Sequence, residues 1–590
     1  GYKNLIKLVS NSWVDGYYMR PRTDRADLEK YHEDLIVCSA CIAGEVPAKI
    51  LKGDIAGARE ACEWYHNLFG DDYYLELQRH KVPDDPSLLA NREAYELQQK
   101  ANKVLIEFAR EYGIKLVCTN DCHFEDKETA EAHDHLLCIA TGKDLDDPNR
   151  MRYSKQEWFK TREEMNEVFA DVPEALSNTL EVLDKVEIYS IDHGPIMPFF
   201  PIPESFGTEE QLRQKVSEED LYREFTTDEN GENQLSPEEG QKVIDRLGGY
   251  DKIYRIKFEA EYLRHLAYEG ARKLYGDPLP ENVDEHVNFE LHVMKTMGFP
   301  GYFLIVSDFI RAAREELGVM VGPGRGSAAG SVVAYCLGIT KIDPLKYDLL
   351  FERFLNPDRV NLPDIDTDFD DDGRGKVLRW VMDKYGHENC AHIITYGSMA
   401  TKNSIKDVAR VEKLPLDKAN ALCKAIPDRL PDGAKMNLAN AIKYTPELKE
   451  AEYSSDPRES NTIKYARMLE GTIRGTGIHA CGFIICRDPI SNWVPVSTAD
   501  DPDFPGLKTA VTQYDGHVIE TTGLIKMDFL GLKTLSEMKE ACKVIKQTTG
   551  DVVDLDTIPI DDELTYQLYQ RGQTIGTFQF ESPGMQKYLR

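Results

Sequence analysis

Hydrophobic positions along the first 190 residues switch between two periods. The stretch Asp54-Ile-Ala-Gly-Ala-Arg-Glu-Ala-Cys-Glu-Trp-Tyr has helical spacing, whereas Asp72-Tyr-Tyr-Leu-Glu-Leu-Gln and Ile114-Lys-Leu-Val-Cys-Thr read as short strands. Helix then strand, repeated, predicts an α/β layer or barrel. Pro195 to Pro203 is proline-rich and predicts a linker, and residues 204–285 are charged and mostly helical. From Phe289 to about Gly397, helices alternate with apolar strands and glycine turns. Residues 398–470 read as helical and Lys-rich, residues 484–535 return to strands, and the tail from Ser536 is helical again. No internal repeat or low-complexity tract interrupts this order.

One short pattern stands out: Leu362-Pro363-Asp364-Ile365-Asp366-Thr367-Asp368-Phe369. On a strand, side chains at i, i+2 and i+4 share a face, so all three acids point one way. Charges that close repel, and divalent cations, which take carboxylate oxygens, are the usual remedy. On the octapeptide alone, an acidic strand edge facing solvent is the competing reading. A further acid, Asp528, interrupts the apolar run Gly523-Leu-Ile-Lys-Met-Asp-Phe-Leu-Gly-Leu. A lone buried carboxylate is costly unless paired or metal-bound. Lys526 lies two residues away and points to the same face.

A second pattern is the glycine-rich run Val319-Met-Val-Gly-Pro-Gly-Arg-Gly-Ser-Ala-Ala-Gly-Ser331, which follows a strand-like stretch and opens a helix-like one. Glycines let backbone approach an anion, and a helix N-terminus offers free N–H groups and positive potential. Arg325 and the hydroxyls of Ser327 and Ser331 add donors, so the run predicts a phosphate cradle; a tight turn that binds nothing is the alternative. It is not a Walker A loop, because no lysine follows the last glycine. Gly324, Gly326 and Ala329 satisfy the dinucleotide fingerprint, with Asp343 near the ribose-binding distance, but Pro344 follows Asp343 and no clear strand precedes it. Between loop and acids, Arg353 and Arg359 can bring positive charge to the same cleft or serve as surface ion-pair partners. Together these are the parts of two-metal phosphoryl or nucleotidyl transfer.

Composition sets bounds. A length of 590 residues suggests about three to five domains. Hydrophobic residues make up 41% and charged residues 29%, enough for large cores. No apolar run reaches the roughly 18 residues of a membrane helix. The chain opens at Gly1-Tyr2-Lys3 and closes in a helix-like pattern at Gln586–Arg590, which reads as a piece of a longer protein. Its 12 cysteines include one CxxC, Cys38 and Cys41, with no second pair at zinc spacing; buried reduced thiols fit a cytoplasmic protein. The net charge of −31 argues against a protein that simply coats nucleic acid. The charge is uneven: residues 204–240 hold 12 acids and 3 bases, residues 373–429 hold 11 bases and 6 acids. A local basic region can still face phosphates. Asp228, Asn230 and Glu239 faintly match a calcium loop, but Asn233 stands where that loop requires glycine, which rejects it.

The motifs from Gly298-Phe-Pro-Gly-Tyr-Phe-Leu-Ile-Val through Gly322–Ser331, Phe351-Glu-Arg-Phe-Leu-Asn-Pro, Pro363-Asp-Ile-Asp-Thr-Asp-Phe, Ile394-Thr-Tyr-Gly-Ser-Met-Ala and Lys526-Met-Asp-Phe-Leu-Gly-Leu closely resemble the family C replicative polymerases, the bacterial DNA polymerase III alpha subunits. The resemblance covers essentially the whole chain. It implies a multidomain α/β protein in which a PHP-type α/β barrel precedes a polymerase-beta-like nucleotidyltransferase palm and a helical thumb. The implied boundaries are 1–195 for the PHP domain, 196–288 for an acidic helical connection, 289–397 and 484–535 for the palm, 398–483 for the thumb and 536–590 for the start of the fingers. The implied activity is DNA-templated 5′–3′ synthesis from dNTPs with two Mg2+ ions.

By that resemblance, Asp364, Asp366 and Asp528 are the catalytic metal-binding triad and Asp368 is a neighbour. Gly326 and Ser327 take the triphosphate, and Arg353 and Lys526 are active-site cations. In the N-terminal region, Asp121 and His123 match a metal-ligand motif of the PHP domain, and Glu76 with His80 matches another, which implies Zn2+ or Mn2+ there. A phosphoesterase or 3′–5′ exonuclease in that domain is the alternative function. The implied partners are primer-template DNA, a sliding clamp, a clamp loader and a proofreading subunit, mostly through parts following this sequence. Two departures stand: the acidic connection looks longer than usual, and Pro583 stands where the fingers motif calls for a basic residue.

Overall fold

The computed structural model describes residues 1–83, 92–232, 234–356 and 363–590, so Asn233, Arg359 and Leu362 lie outside the described residues. The chain divides into two units, Gly1–Ser190 with Thr395–Gly477 and Ile191–Ile394 with Ile478–Arg590. It is a multidomain α/β protein.

In the first unit, three short strands form a parallel sheet in the order β1 (Val37–Cys38), β2 (Tyr73–Gln78), β3 (Leu116–Thr119). Parallel strands need crossover helices on their faces, and β2 is accordingly buried on both sides along nearly its whole length. The helix Ile55–Phe69 starts where Asp54 accepts the Gly57 N–H at 2.9 Å. The helix Glu93–Tyr112 stops at Gly113, whose φ of 69° suits glycine. Tyr73, Leu75, Leu77, Phe108 and Phe169 fill the core between them.

Residues 401–469 form five short helices around a second core that includes Ile405, Leu438, Leu448 and Ile463. The helix Ala130–Thr141 packs on this core against Thr401–Val411 and Pro457–Leu469. There His135 Nε2 lies 2.6 Å from Glu412 Oε1, and its ring stacks at 4.2 Å on Tyr465.

The second unit carries a six-stranded mixed sheet. Its strands are β4 (Thr367–Asp370), β5 (Cys390–Ser398), β6 (Ile473–Ile485), β7 (Val496–Asp500), β8 (Lys508–Asp515) and β9 (Lys526–Leu532), in the order β4-β9-β6-β5-β8-β7. β4 runs parallel to β9 with Thr367 opposite Phe529, and β6 runs antiparallel to β9 with Gly482 opposite Asp528. Alternation then sorts the faces: Phe369, Phe483 and Phe529 point to the core, while Asp528 points away from it. The helix Pro300–Glu315 lies beneath, with Phe309 at 4.7 Å from Phe529. The helix Lys533–Thr549, which follows β9 directly, is fastened to β4: Ser536 Oγ accepts the Asp371 N–H at 3.0 Å, and Lys539 Nζ donates to the Gly318 carbonyl at 2.7 Å and to the buried Asp370 carboxylate at 3.1 Å.

The acidic connection is helical as its pattern predicts, over Glu209–Lys215, Glu218–Thr226, Pro237–Leu247 and Tyr250–Tyr275. Three of these helices begin in capping boxes, at Thr208, Ser217 and Ser236. Glu239 is spent in the last of them. Among the described residues, no helix is long and apolar enough to cross a membrane.

Candidate active site

Asp364, Asp366 and Asp528 converge. Each offers a carboxylate oxygen within 4.8 Å of the others, the one group of three or more His, Cys, Asp or Glu ligands that close among the described residues. Asp364 and Asp366 stand on the extended lead-in to β4, which is regular only from Thr367. Asp528 stands in the middle of β9, the strand next to β4. The register of that parallel pair brings acids from two distant stretches of chain to one edge.

The site is strained electrostatically. The Asp366 carboxyl is held above the ordinary carboxylate range, first by burial and then by the negative charges of Asp364 and Asp528. Asp528 is only 10% exposed. Its Oδ2 is 3.0 Å from Lys526 Nζ, but its Oδ1 is buried with no hydrogen-bond partner. Burial lowers the Lys526 pKa, and the hydrogen bond to Asp528 with the charges of Asp528 and Asp364 more than offsets this, leaving it raised. One ammonium against three carboxylates leaves negative charge and an orphaned buried oxygen, which suits a hard divalent cation. The residues fit the metal that their chemistry implies.

Beneath the acids lies Tyr302, wholly buried, whose hydroxyl accepts the Ile365 N–H at 3.2 Å. Burial, then the charges of Asp364, Asp528 and Asp366, hold its phenol protonated. This fixes the backbone between the two acids of the lead-in. Periodicity alone does not mark Tyr302, which sits in an apolar helical run, although it falls within the Gly298–Val306 family motif. On the other side, Arg374 Nε donates to the Phe529 carbonyl at 2.8 Å and Nη2 to the Ala480 carbonyl at 2.7 Å, tying β9 to β6.

The third acid of the octapeptide goes elsewhere. Asp368 forms a fork with Arg325, Nε to Oδ2 at 2.9 Å and Nη2 to Oδ1 at 2.5 Å. Asp368 stands opposite Leu530, on the same face of the β4–β9 pair as Asp528, but Arg325 takes its carboxylate and leaves it outside the metal group. The glycine loop itself lies against β4. Gly322 N–H donates to the Asp368 carbonyl at 2.8 Å, Asp370 N–H to the Met320 carbonyl at 2.9 Å, and Val321 bridges to Phe369. A Cβ on Gly322 would stand 3.0 Å from the Asp368 Cβ, tight enough to push the loop away.

Gly326 and Ser327 are exposed in a single turn over Gly326–Gly330, and Gly326 has a φ of 64°. Arg353 is exposed in the turn Phe351–Arg353, which touches the glycine turn so closely that a Cβ on Gly330 would meet the Leu350 carbonyl at 2.7 Å. The helix start, by contrast, does not serve as the expected anion site. The helix Val332–Cys336 is only one turn long. Its first amides, Val332 N–H at 2.8 Å and Val333 N–H at 2.9 Å, donate to the buried Glu290 carboxylate, as does the Ser331 hydroxyl at 2.7 Å. The expectation for Ser331 as a phosphate donor is therefore corrected: an internal carboxylate already fills the N-terminus. Asp343 is also spent, accepting from the Tyr275 hydroxyl at 2.8 Å and the Leu345 N–H at 3.0 Å, which removes the ribose acid of the dinucleotide reading.

In the first unit, Glu76, His80, Asp121 and His123 do not gather into one ligand group among the described residues. Glu76 accepts from Gln78 Nε2 at 3.0 Å and from the Thr119 hydroxyl. His80 is buried, with Nδ1 at 3.0 Å from Gln98 Nε2 and Nε2 at 3.0 Å from the Asn120 carbonyl, so both ring nitrogens are engaged. Burial lowers its pKa. Asp121 adopts φ of 46°, and His123 is exposed, its Nε2 at 3.0 Å from the Tyr153 hydroxyl.

A carboxylate triad on a mixed sheet, near a glycine loop, offers the ligand set of a divalent-cation site. Comparison with known proteins is in accord. Residues 261–531 match the bacterial DNA polymerase III alpha NTPase domain, residues 1–80 the PHP domain, and residues 534–590 the bacterial DNA polymerase III alpha subunit finger domain. The chain is 39% identical over its full length to the DNA polymerase III subunit alpha of Borreliella burgdorferi, covering 45% of that protein, and 40% identical to that of Thermus aquaticus, covering 47%. It is 38% identical over 99% of its length to that of Campylobacter jejuni, covering 45%. This chain belongs to the family of bacterial DNA polymerase III alpha subunits and spans about half the length of the relatives it matches.

Proposed function

We propose that this chain carries the nucleotidyl-transfer centre of a bacterial replicative DNA polymerase, the catalytic subunit that extends a primer 5′–3′ on a DNA template. The observation that carries this reading is the convergence of Asp364, Asp366 and Asp528, which offer carboxylate oxygens within 4.8 Å of one another, while the Asp528 Oδ1 is buried and unpartnered. The sheet of the second unit is then the palm, over 289–397 and, because β6 of that sheet already begins at Ile473, over 473–535 rather than 484–535. The helices between these segments are the thumb, residues 536–590 begin the fingers, residues 196–288 are the connection and residues 1–195 are the PHP domain.

Asp364, Asp366 and Asp528 hold the cations, which we take to be two Mg2+ ions. When bound, these supply Lewis-acid activation of the primer 3′-hydroxyl and neutralise charge on the leaving pyrophosphate. The chain's own groups do the rest. The exposed Gly326–Ser327 turn offers backbone and hydroxyl donors to the triphosphate. Arg353 and Arg325 flank that turn and oppose the charge that builds on it. Lys526 holds the Asp528 side chain in place through its 3.0 Å ion pair. Tyr302 fixes the Asp364–Asp366 backbone, so the ligands need little rearrangement.

dNTPs and primer-template DNA are the substrates of this reading. Clamp, clamp loader and a proofreading subunit are the partners of the whole protein. The test is primer extension by the full-length enzyme with Asp366→Ala and Asp528→Ala. Loss of extension in both, with the fold retained, is expected; normal extension in both would remove the assignment.

A further inference from the structure

Asp368 is the acid of the octapeptide that the metal group leaves out, and its side chain is 9% exposed. A carboxylate so buried needs a full set of partners. It has one in Arg325, through two parallel N–H···O bonds from Nε and Nη2. Five donors sit on a guanidinium fork. This pairing consumes two of them and leaves both hydrogens of Nη1 and one of Nη2. The Arg325 side chain is still 37% exposed, so the pairing does not bury it. Two further restraints hold the geometry. Gly322, three residues before Arg325, is hydrogen-bonded to the Asp368 backbone, and a Cβ there would stand only 3.0 Å from the Asp368 Cβ. Arg325 itself is extended (φ −141°) and immediately precedes the exposed Gly326–Ser327 turn.

We propose that Asp368 is a positioning residue for nucleotide binding. It acts through Arg325, locking the guanidinium in a bidentate fork so that its remaining edge faces the triphosphate. The inference rests on the polymerase reading and deepens it. An unanchored arginine spends conformational entropy each time it closes on a ligand; a fork on a buried carboxylate removes most of that cost in advance. The same pairing keeps a cation of the loop next to Asp366. Arg325 is among the groups that pull the Asp366 pKa down, against the burial and the Asp364 and Asp528 charges that raise it.

The test is a double-mutant cycle in steady-state primer extension by the full-length enzyme, read as KM for dNTP and as kcat. Asp368→Ala and Arg325→Ala are each expected to raise KM on the order of 10–100-fold, the scale of losing one well-placed charge-assisted contact. The double variant is expected to be no worse than Arg325→Ala alone, because the two act as one unit. Asp368→Asn keeps the shape and one acceptor, and an intermediate KM is expected; it also guards against a folding failure in the alanine variant. An Asp368→Ala effect that persists undiminished in the Arg325→Ala background overturns the proposal, as does an unchanged KM in Asp368→Asn and Asp368→Ala. Failure of the underlying reading has a different signature, which is normal extension by Asp366→Ala.

Discussion

The Ser331 hydroxyl donates to the buried Glu290 carboxylate at 2.7 Å, and the two amides that follow Ser331 donate to the same group. Glu290 comes from the helix Glu281–Thr296, so a side chain 41 positions upstream closes the helix start that the loop alone leaves open. Glu290→Ala leaves three buried donors without partners, a loss of about 1–3 kcal/mol for each one that water cannot reach. Urea unfolding of this variant is expected to show at least 2 kcal/mol lower stability, about twice the loss of an ordinary single bond.

The carboxylate triad makes stability depend on cations. Asp366 has a raised folded pKa, so its ionised form is penalised by folding. Its contribution is intact below the unfolded carboxylate pKa and is lost as pH rises through the folded value. Asp366→Asn is therefore expected to melt higher than the parent at pH 7 in EDTA, by a few degrees. The same substitution should abolish most of the upward shift in melting temperature that millimolar Mg2+ or Mn2+ gives the parent. A variant that melts lower in EDTA would contradict the repulsion.

His392 sits in the middle of β5, buried against Phe483 at 5.0 Å, with Nδ1 lacking a partner. Burial first, and then the Arg374 charge, lower its pKa to about 4. Between the unfolded value near 6.5 and the folded value near 4, the unfolded chain binds the extra proton, so stability falls as pH falls through that window. The loss is on the order of 3 kcal/mol. Melting curves from pH 7 to 4 should show a shallower acid limb for His392→Leu than for the parent.

Gly330 allows the turn that carries Arg353 to touch the glycine turn. A methyl group there would meet the Leu350 carbonyl at 2.7 Å, so Gly330→Ala must move one turn off the other. Primer extension is expected to show a KM for dNTP raised roughly tenfold, while DNA affinity measured by filter binding stays near that of the parent. Equal losses in both would place the defect elsewhere.

Much of this was legible along the chain. The strands at Tyr73–Gln78 and Leu116–Thr119 and the helices of the acidic connection stand where the periodicity puts them, because each buries a face set by its own residues. Asp528 was visible as a lone acid in an apolar run, since burial makes such a residue conspicuous. Two things were not legible. The octapeptide's alternation puts three acids on one face but says nothing about which of them Arg325 takes out of the metal group. The closure of the Val332 helix by Glu290 is a contact between segments, and His80's two hydrogen bonds, to Gln98 and Asn120, are the same kind of fact.

The lysine that fastens the helix after β9 has a mechanical consequence. Asp370 is fully buried, and Lys539 is its cationic partner. Any swing of the Lys533–Thr549 helix wide enough to withdraw that ammonium leaves the buried Asp370 side chain with only the Met320 N–H, at a cost of several kcal/mol. The helix runs unbroken from Lys533 to Thr549, so its far end moves with Lys539 and with β4. Lys539 thus makes the helix a lever on the strand whose lead-in carries Asp364 and Asp366.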